Sequence, residues 1–286
     1  MTHPARLETL ADLRVEIDCI DSQMHRLLIA RGEIIDRLIE AKARQTGAVE
    51  GASAFRPGRE ADMMRALVSR HTGHLPLDTV ESIWRIIIST FTYVQSPYAV
   101  HADVSAGDAQ MRDCCRFHFG FTVPYVPETD AAAVIAAVAA SRGDLGLIPV
   151  GARDGGWRAL RASDAPKIIA RLPFVERPDH PAGLPLFVVA RPLKEAAVRD
   201  NVVYDVDCAG AEAPDAARAK AAGAEILARG EDGALLVCAP GALDKSALAR
   251  ALGVPQGALA EIGGHAARCE AAQAQRDPAP FVSAAQ

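Results

Sequence analysis

A heptad pattern near the amino terminus constrains the fold of this 286-residue chain more than any other feature. Within the segment 7–44, apolar residues recur at alternating intervals of three and four positions. They are Leu10, Leu13, Ile17, Ile20, Met24, Leu27, Ile34 and Leu38. This spacing predicts one long helix with an apolar seam along one side. At 1.5 Å per residue, that helix would be about 57 Å long.

A helix of this length exceeds the span of a small domain, so its own chain segment cannot cover the whole seam. A homodimer is the simplest way to cover it. Two shorter helices are predicted to follow, one from Pro57 to about His71 and one from about Pro76 to Ser96. The apolar residues of the third helix are Val80, Ile83, Trp84, Ile87, Phe91 and Val94. Three such helices make half of an intertwined helical bundle.

Arg31 breaks the apolar seam, because it occupies the heptad position between Leu27 and Ile34. Burying a guanidinium without an anion is costly, so this side chain requires a negatively charged partner. A glutamate across the dimer would satisfy Arg31 if it were the only such residue.

Five more polar residues accompany Arg31. Arg14 and Lys42 flank the same seam. Arg59 opens the second helix beside Glu60, and Gln95 lies four residues after Phe91 on the third. Each of them alone could be a solvated surface residue. Together they would place several cations near one buried locus, which suits a small dianion because arginine binds carboxylates through two hydrogen bonds.

The first hundred residues contain no Ser-His-Asp set, no phosphate-binding loop and no metal-ligand spacing. We therefore predict a site with no metal and no cofactor. Cations and amides without a nucleophile suit a reaction that needs only orientation and charge stabilisation.

Stretches on all three helices resemble the helical type II chorismate mutases. They are residues 13–18, 20–21 and 27–31 with Lys42 in the first helix, residues 55–60 at the start of the second, and residues 83–87 through Gln95 in the third. The resemblance covers about a third of the chain. It implies an intertwined homodimer with shared active sites that converts chorismate to prephenate.

The resemblance also implies how chorismate would be bound. Arg14, Arg31 and Arg59 would bind its two carboxylates and neighbouring polar atoms, with Arg14 supplied by the partner subunit. Glu60 would hold the ring hydroxyl.

Two further residues would act on the breaking bond. The family implies that Lys42 and Gln95 hydrogen-bond the ether oxygen as the carbon–oxygen bond breaks. The rearrangement is pericyclic, so catalysis would come from binding the reactive conformer and stabilising developing negative charge. The chain departs from the family at Phe91, where a small or polar residue is usual, and in its long linker between Lys42 and Arg59.

The region 98–195 is predicted to be an α/β domain of the periplasmic-binding type, with strands at 98–104, 123–126, 143–149 and 184–190 and a helix at 130–141. In this position it resembles a prephenate dehydratase. That family carries a Thr-Arg-Phe motif and a Glu-Asn-Ser turn, where this chain has residues 184–187 (Leu-Pro-Leu-Phe) and 150–153 (Val-Gly-Ala-Arg). We therefore expect a degenerate domain without dehydratase activity. The alternative is an α/β domain of unrelated origin.

The region 200–270 is predicted to follow the ferredoxin-like order of strand, helix, strand, strand, helix and strand. The elements lie at 202–206, 211–222, 224–227, 234–238, 245–252 and 258–263. Residues 240–243 (Pro-Gly-Ala-Leu) resemble the start of small regulatory domains that bind amino acids. We expect a multidomain chain, with a helical mutase domain at 7–97 and a disordered tail at 271–286.

Composition excludes several classes of protein. The net charge of −5 gives no electrostatic reason to expect nucleic acid or an anionic membrane as a partner. No apolar run is long enough for a transmembrane helix, and the amino terminus lacks the apolar core of a signal peptide, so we expect a cytoplasmic protein. The six cysteines form no CxxC pair and are expected to be reduced thiols.

Three functions remain open on the sequence. The first is a chorismate mutase with a non-catalytic carboxyl-terminal half, which the motifs favour. The second is a bifunctional mutase and dehydratase. The third is a non-enzymatic sensor of an aromatic-pathway metabolite, in which Phe91 permits binding but prevents turnover.

Overall fold

The computed structural model describes residues 9–46, 55–152, 154–193, 198–208, 214 and 216–270. The chain divides into two compact units, Met1–Ala52 and Ser53–Gln286. The segment 47–54, predicted to end the first helix, lies outside the described residues, as do residue 153 and the tail 271–286.

The described residues of the first unit form one helix, α1 (Leu10–Thr46), of 37 residues. Its start is capped reciprocally, because the backbone N–H of Asp12 donates to Thr9 Oγ1 at 3.2 Å and that of Thr9 donates to Asp12 Oδ2 at 3.0 Å. The eight seam residues named above are between 38% and 74% exposed. The long predicted helix is therefore confirmed, and its apolar seam is accessible in the single chain.

The second unit begins with two helices, α2 (Pro57–Arg70) and α3 (Leu77–Gln95). Pro57 sits in the first turn of α2, where its missing N–H costs nothing. Both predicted helices are confirmed. The buried side of α3 differs from the apolar stripe read from the sequence, since Ile83 and Trp84 are 38% and 37% exposed while Arg85 is 7% exposed.

A nine-stranded mixed sheet forms the centre of the second unit. Its strands, in chain order, are β1 (Val100–Asp103), β2 (Tyr125–Glu128), β3 (Leu145–Pro149), β4 (Lys167–Leu172), β6 (Leu186–Ala190), β7 (Asn201–Val206), β8 (Glu225–Arg229), β9 (Leu235–Pro240) and β10 (Leu259–His265). The order across the sheet is β2-β1-β3-β6-β4-β10-β7-β9-β8. A small sheet pairs β5 (Val175–Glu176) with β11 (Cys269–Glu270).

Four further helices belong to this unit: α4 (Asp108–Phe119), α5 (Ala131–Ala140), α6 (Ala216–Ala221) and α7 (Lys245–Leu252). The Asp130 side chain caps α5 by accepting from the backbone N–H of Ala133 at 2.8 Å. Short 3-10 helices lie at Gly156–Arg161 and Gln256–Ala258. The six cysteines are free thiols, as expected.

The predicted strands of both rear regions are confirmed as strands, although some bounds shift by one or two residues. The sequence reading omitted helix α4 and strand β4. Because β10 pairs with β4 at Gly263 and Ile168, the strands of the regions 98–195 and 200–270 belong to one sheet. The boundary between the compact units also places α2 and α3 with that sheet. The division into four domains stays a prediction.

Gly146 in β3 allows α5 to pack closely on the sheet. A Cβ atom at this position would lie 2.5 Å from Cγ1 of Val134 and 2.6 Å from Cγ2 of Val189. Val134 and Val189 are fully buried, so neither can move aside into solvent. Only a hydrogen atom fits between this strand, its neighbour β6 and the helix.

We expect Gly146→Ala to lower the free energy of unfolding by about 1–3 kcal/mol, because the added methyl group overpacks the core. Gly143→Ala is the matched control, since a Cβ at Gly143 has no atom within 4 Å. Urea denaturation followed by circular dichroism measures both variants. Equal stability of the two would contradict the packing argument.

Candidate functional site

Three of the predicted site residues lie on α1. Arg14 is exposed and Arg31 is half-buried. Lys42 lies near the carboxyl end of this helix. Arg31 and Lys42 are eleven positions apart in this helix, or about 17 Å along its axis. Arg14 lies about 25 Å from Arg31 along the helix axis.

The other three predicted residues lie on α2 and α3. Arg59 is exposed. Glu60, beside it, is half-buried and accepts a hydrogen bond from Nη1 of Arg85 at 3.1 Å. Gln95 is also half-buried, and its amide Nε2 donates to the backbone carbonyl of Phe91 at 3.0 Å. The structure thus pairs Glu60 with a cation that the sequence reading did not include.

The Glu60–Arg85 ion pair lines a cavity of about 50 Å³ in the second unit. Its other polar lining residues are Arg171 on β4 and the hydroxyl-bearing Ser89, Thr92 and Tyr98. Apolar residues complete it, including Phe55, Met64, Phe119, Leu145, Ile169, Leu172, Phe174 and Val188. Helices α2 and α3 form one wall of this cavity, and strands β3, β4 and β6 form another. The ion pair is therefore shielded from water on the side that faces the sheet.

A chain of hydroxyl contacts fixes α3 beside the ion pair. Oγ of Ser89 donates to the backbone carbonyl of Phe119 at 3.0 Å and lies 3.1 Å from the hydroxyl of Tyr98. Burial raises the pKa of Tyr98 above its ordinary value of 10.0. The phenol therefore stays protonated and can donate a hydrogen bond.

Sequence reasoning missed Arg85, Ser89 and Tyr98. A signal for two of them was present, because Glu81, Arg85 and Ser89 recur every four positions along α3. Such spacing places polar groups on one side of a helix and is normally read as a solvated surface. Here all three residues are buried.

Three more buried ionisable side chains, Glu81, His118 and His180, lie in the second unit. His180 Nδ1 accepts from the backbone N–H of Ala182 at 3.0 Å, so its Nε2 carries the proton that Glu81 accepts at 3.1 Å. The ring of His118 lies 6.1 Å from that of His180, and both of its nitrogens are buried without a hydrogen bond. Burial lowers the pKa of His118 well below 6.5, and the charge of Arg85 and the neighbouring His180 lower it further.

In the rear half, the two stretches set against dehydratase motifs in the sequence lie at strand β6 and in the turn after β3. Leu186 and Phe187 are fully buried in strand β6. Gly151 and Ala152 lie in the turn after β3, and Arg153 lies outside the described residues. The described part of the chain holds no cluster of three His, Cys, Asp or Glu side chains suited to a metal ion. None of its helices is long and apolar enough to cross a bilayer.

The fold is that of a multidomain chain in which a helical region precedes a large mixed sheet with helices. Comparison with known proteins gives the helical region its family. Residues 13–96 match the family model described as chorismate mutase type II, so this segment is a domain of that family. The match covers less than a third of the chain.

Curated relatives extend the similarity beyond that segment. The chain is 26% identical over 143 residues to a bifunctional chorismate mutase/prephenate dehydratase of Pseudomonas aeruginosa, an alignment that covers 50% of this chain and 39% of the relative. It is 27% identical over 148 residues to the protein of the same description from Aquifex aeolicus, with the same coverage. The chain thus spans about two fifths of the length of these relatives. No solved structure matches it.

The buried His118 makes the stability of the chain sensitive to acid. Its pKa is 6.5 when unfolded and well below that when folded, so the unfolded state alone binds a proton as the pH falls below 6.5. We expect His118→Leu to reduce the loss of unfolding free energy between pH 7.5 and pH 5 by about 2 kcal/mol.

Urea denaturation at the two pH values measures this difference. His74→Leu is the control, because the His74 side chain is exposed. An unchanged acid sensitivity in His118→Leu would show that this ring is protonated equally in both states.

Proposed function

We propose that this chain is a chorismate mutase that converts chorismate to prephenate. The observation that carries the proposal is the family match at residues 13–96, which contains all six predicted site residues. Arg14, Arg31 and Arg59 bind the substrate carboxylates, while Glu60 binds the ring hydroxyl. The type of each residue suits a dianion with one hydroxyl group.

We also propose that the active site is shared between two subunits. Arg14 and Arg31 are about 25 Å apart along one straight helix, which is too far for both to contact one small substrate. Pairing of two α1 helices would bring Arg14 of the partner subunit to the Arg31 of the first. The exposed seam of α1 supports this pairing, since apolar residues on a helix of this length require a cover.

Lys42 and Gln95 supply the charge stabilisation. As the ether bond breaks, negative charge develops on its oxygen, and a cationic and an amide donor placed there lower the barrier. Glu60 acts through orientation, because a carboxylate that holds the ring hydroxyl restricts the substrate to its reactive conformer. The step needs no covalent intermediate.

The curated relatives favour a second function, since both are described as bifunctional enzymes. We propose that this chain lacks the dehydratase step. The stretch 184–187, which stands where that family carries its Thr-Arg-Phe motif, contains no arginine, and its Leu186 and Phe187 are buried in the core. The rear half then serves as a scaffold, with a periplasmic-binding-like part followed by a ferredoxin-like part. The spatial order β10-β7-β9-β8, with antiparallel neighbours, supports the second assignment. The location of the chain in the cytoplasm stays a prediction.

We expect Arg31→Ala to lower kcat/KM for chorismate at least 100-fold, because one charged donor to the bound dianion is worth about 3 kcal/mol. The assay follows the loss of chorismate absorbance and then measures phenylpyruvate with and without acid treatment. Prephenate alone supports the proposal. Phenylpyruvate before acid treatment would support a bifunctional enzyme, and no loss of chorismate would support a sensor.

The shared site makes a separate prediction about assembly. Ile20→Glu places a charge in the seam and should convert a dimer into a monomer without turnover, as measured by light scattering during gel filtration. Val15→Glu is the matched control, because Val15 is similarly exposed, at 62% against 55% for Ile20, but lies off the seam. A monomeric wild-type chain, or dimeric Ile20→Glu, would contradict the proposed pairing.

A further inference from the structure

We propose that Arg85 is a positioning residue that holds the Glu60 carboxylate in place for the substrate, and that residues beyond the mutase segment hold Arg85. The inference rests on the proposed function, because it concerns how Glu60 meets the ring hydroxyl of chorismate.

The two carboxylate oxygens of Glu60 have different surroundings. Nη1 of Arg85 donates to Oε2 at 3.1 Å, and this bond leaves Oε1 for a hydroxyl donor. The Glu60 side chain is 20% exposed, whereas that of Arg85 is 9% exposed. The cation thus approaches the carboxylate from its buried side, and the open side remains available to a ligand.

Burial makes this contact stronger than an ordinary surface ion pair. An exposed pair contributes little because water and salt screen it, whereas a pair shielded on one side holds a defined geometry. Among the described residues, Glu60 is the carboxylate with which Arg85 forms a salt bridge, and the Nε of the same guanidinium is buried without a hydrogen bond. Loss of Glu60 would therefore leave a buried cation without its carboxylate.

Residues outside the family match fix the position of Arg85. Its guanidinium carbon lies 6.0 Å from the centre of the Phe119 ring at the end of α4. One turn along α3, Ser89 binds the backbone carbonyl of Phe119 and contacts the hydroxyl of Tyr98. Both Phe119 and Tyr98 follow the segment 13–96. The rear half of the chain therefore sets the side of α3 from which Arg85 reaches α2.

The alternative is that Arg85 merely joins two helices. If Arg85 were only such a structural link, removing it would lower the melting temperature. Its removal would then change kcat/KM by the same factor in the wild type and in a variant that lacks Glu60. A positioning role predicts coupling, because Arg85 can act on the substrate only through the Glu60 carboxylate.

A double-mutant cycle in the full-length chain tests the proposal. We expect Arg85→Gln to lower kcat/KM for chorismate by about 10- to 100-fold, with at least part of the loss in kcat, because a misplaced group costs up to two orders of magnitude. Arg85→Lys should recover part of that loss through its charge. The double variant Glu60→Gln/Arg85→Gln should be no slower than Glu60→Gln alone.

Arg65→Gln is the matched control. Arg65 lies on α2, pairs with Asp62 at 2.9 Å and Asp200 at 3.4 Å, and donates to the backbone carbonyl of Ala267 at 2.8 Å, so its removal deletes an arginine and its ion pairs without touching Glu60. We expect its kcat/KM to stay within about twofold of the wild type, because its side chain is partly exposed. Phe119→Leu should lower kcat/KM in the wild-type background and have no effect in the Arg85→Gln background.

Each outcome supports or overturns the positioning role of Arg85. An active wild type whose Arg85→Gln variant keeps full kcat/KM, or loses it equally with and without Glu60, overturns the positioning role and leaves the proposed function intact. If Arg85→Gln does not fold, the same cycle with Arg85→Lys decides by the same criterion. A folded wild-type dimer that leaves chorismate unchanged contradicts the proposed function and this role together.

Discussion

The apolar seam of α1 is the constraint on which the rest of this molecule depends. A 37-residue helix with eight accessible seam residues is costly in water as a lone element. In the proposed dimer, a second α1 helix covers that seam and brings distant positions of the two chains together. The proposed pairing would thus allow charged residues about 25 Å apart on one helix to serve one small anion.

Within the second unit, the polar side of α3 links the helices to the sheet. A buried stripe of Glu81, Arg85 and Ser89 is tolerated because each member has a defined partner on another element. Those partners come from α2, from the end of α4 and from the segment before β6. Polar contacts of this kind specify one arrangement of α3, since any rotation of the helix would leave several buried groups unsatisfied. The site-bearing helices and the rear half are thus structurally interdependent.

Much of the fold could be predicted from the sequence where the pattern is local. The heptad pattern predicts helix α1, and each short apolar run predicts one strand, because both patterns depend only on neighbouring residues. Strand order could not be predicted, because the pairing of β4 with β10 joins residues far apart in the chain. The family motif predicts Glu60 as a site residue. Its partner Arg85 is not predicted, because an arginine on a helix is usually a surface residue. Its burial depends on Phe119 and on the cavity beneath α2, and neither is visible in the local pattern.

Strand β6 begins in the stretch 184–187, where the proposed dehydratase resemblance would place a Thr-Arg-Phe motif. Leu186 and Phe187 are apolar there, and they belong to two different clusters of the core. Apolar side chains at these positions avoid the desolvation cost of burying a cation, and they contribute packing to the core instead. A strand optimised in this way cannot recover ionic chemistry by one substitution, because a new arginine would need both space and an anion.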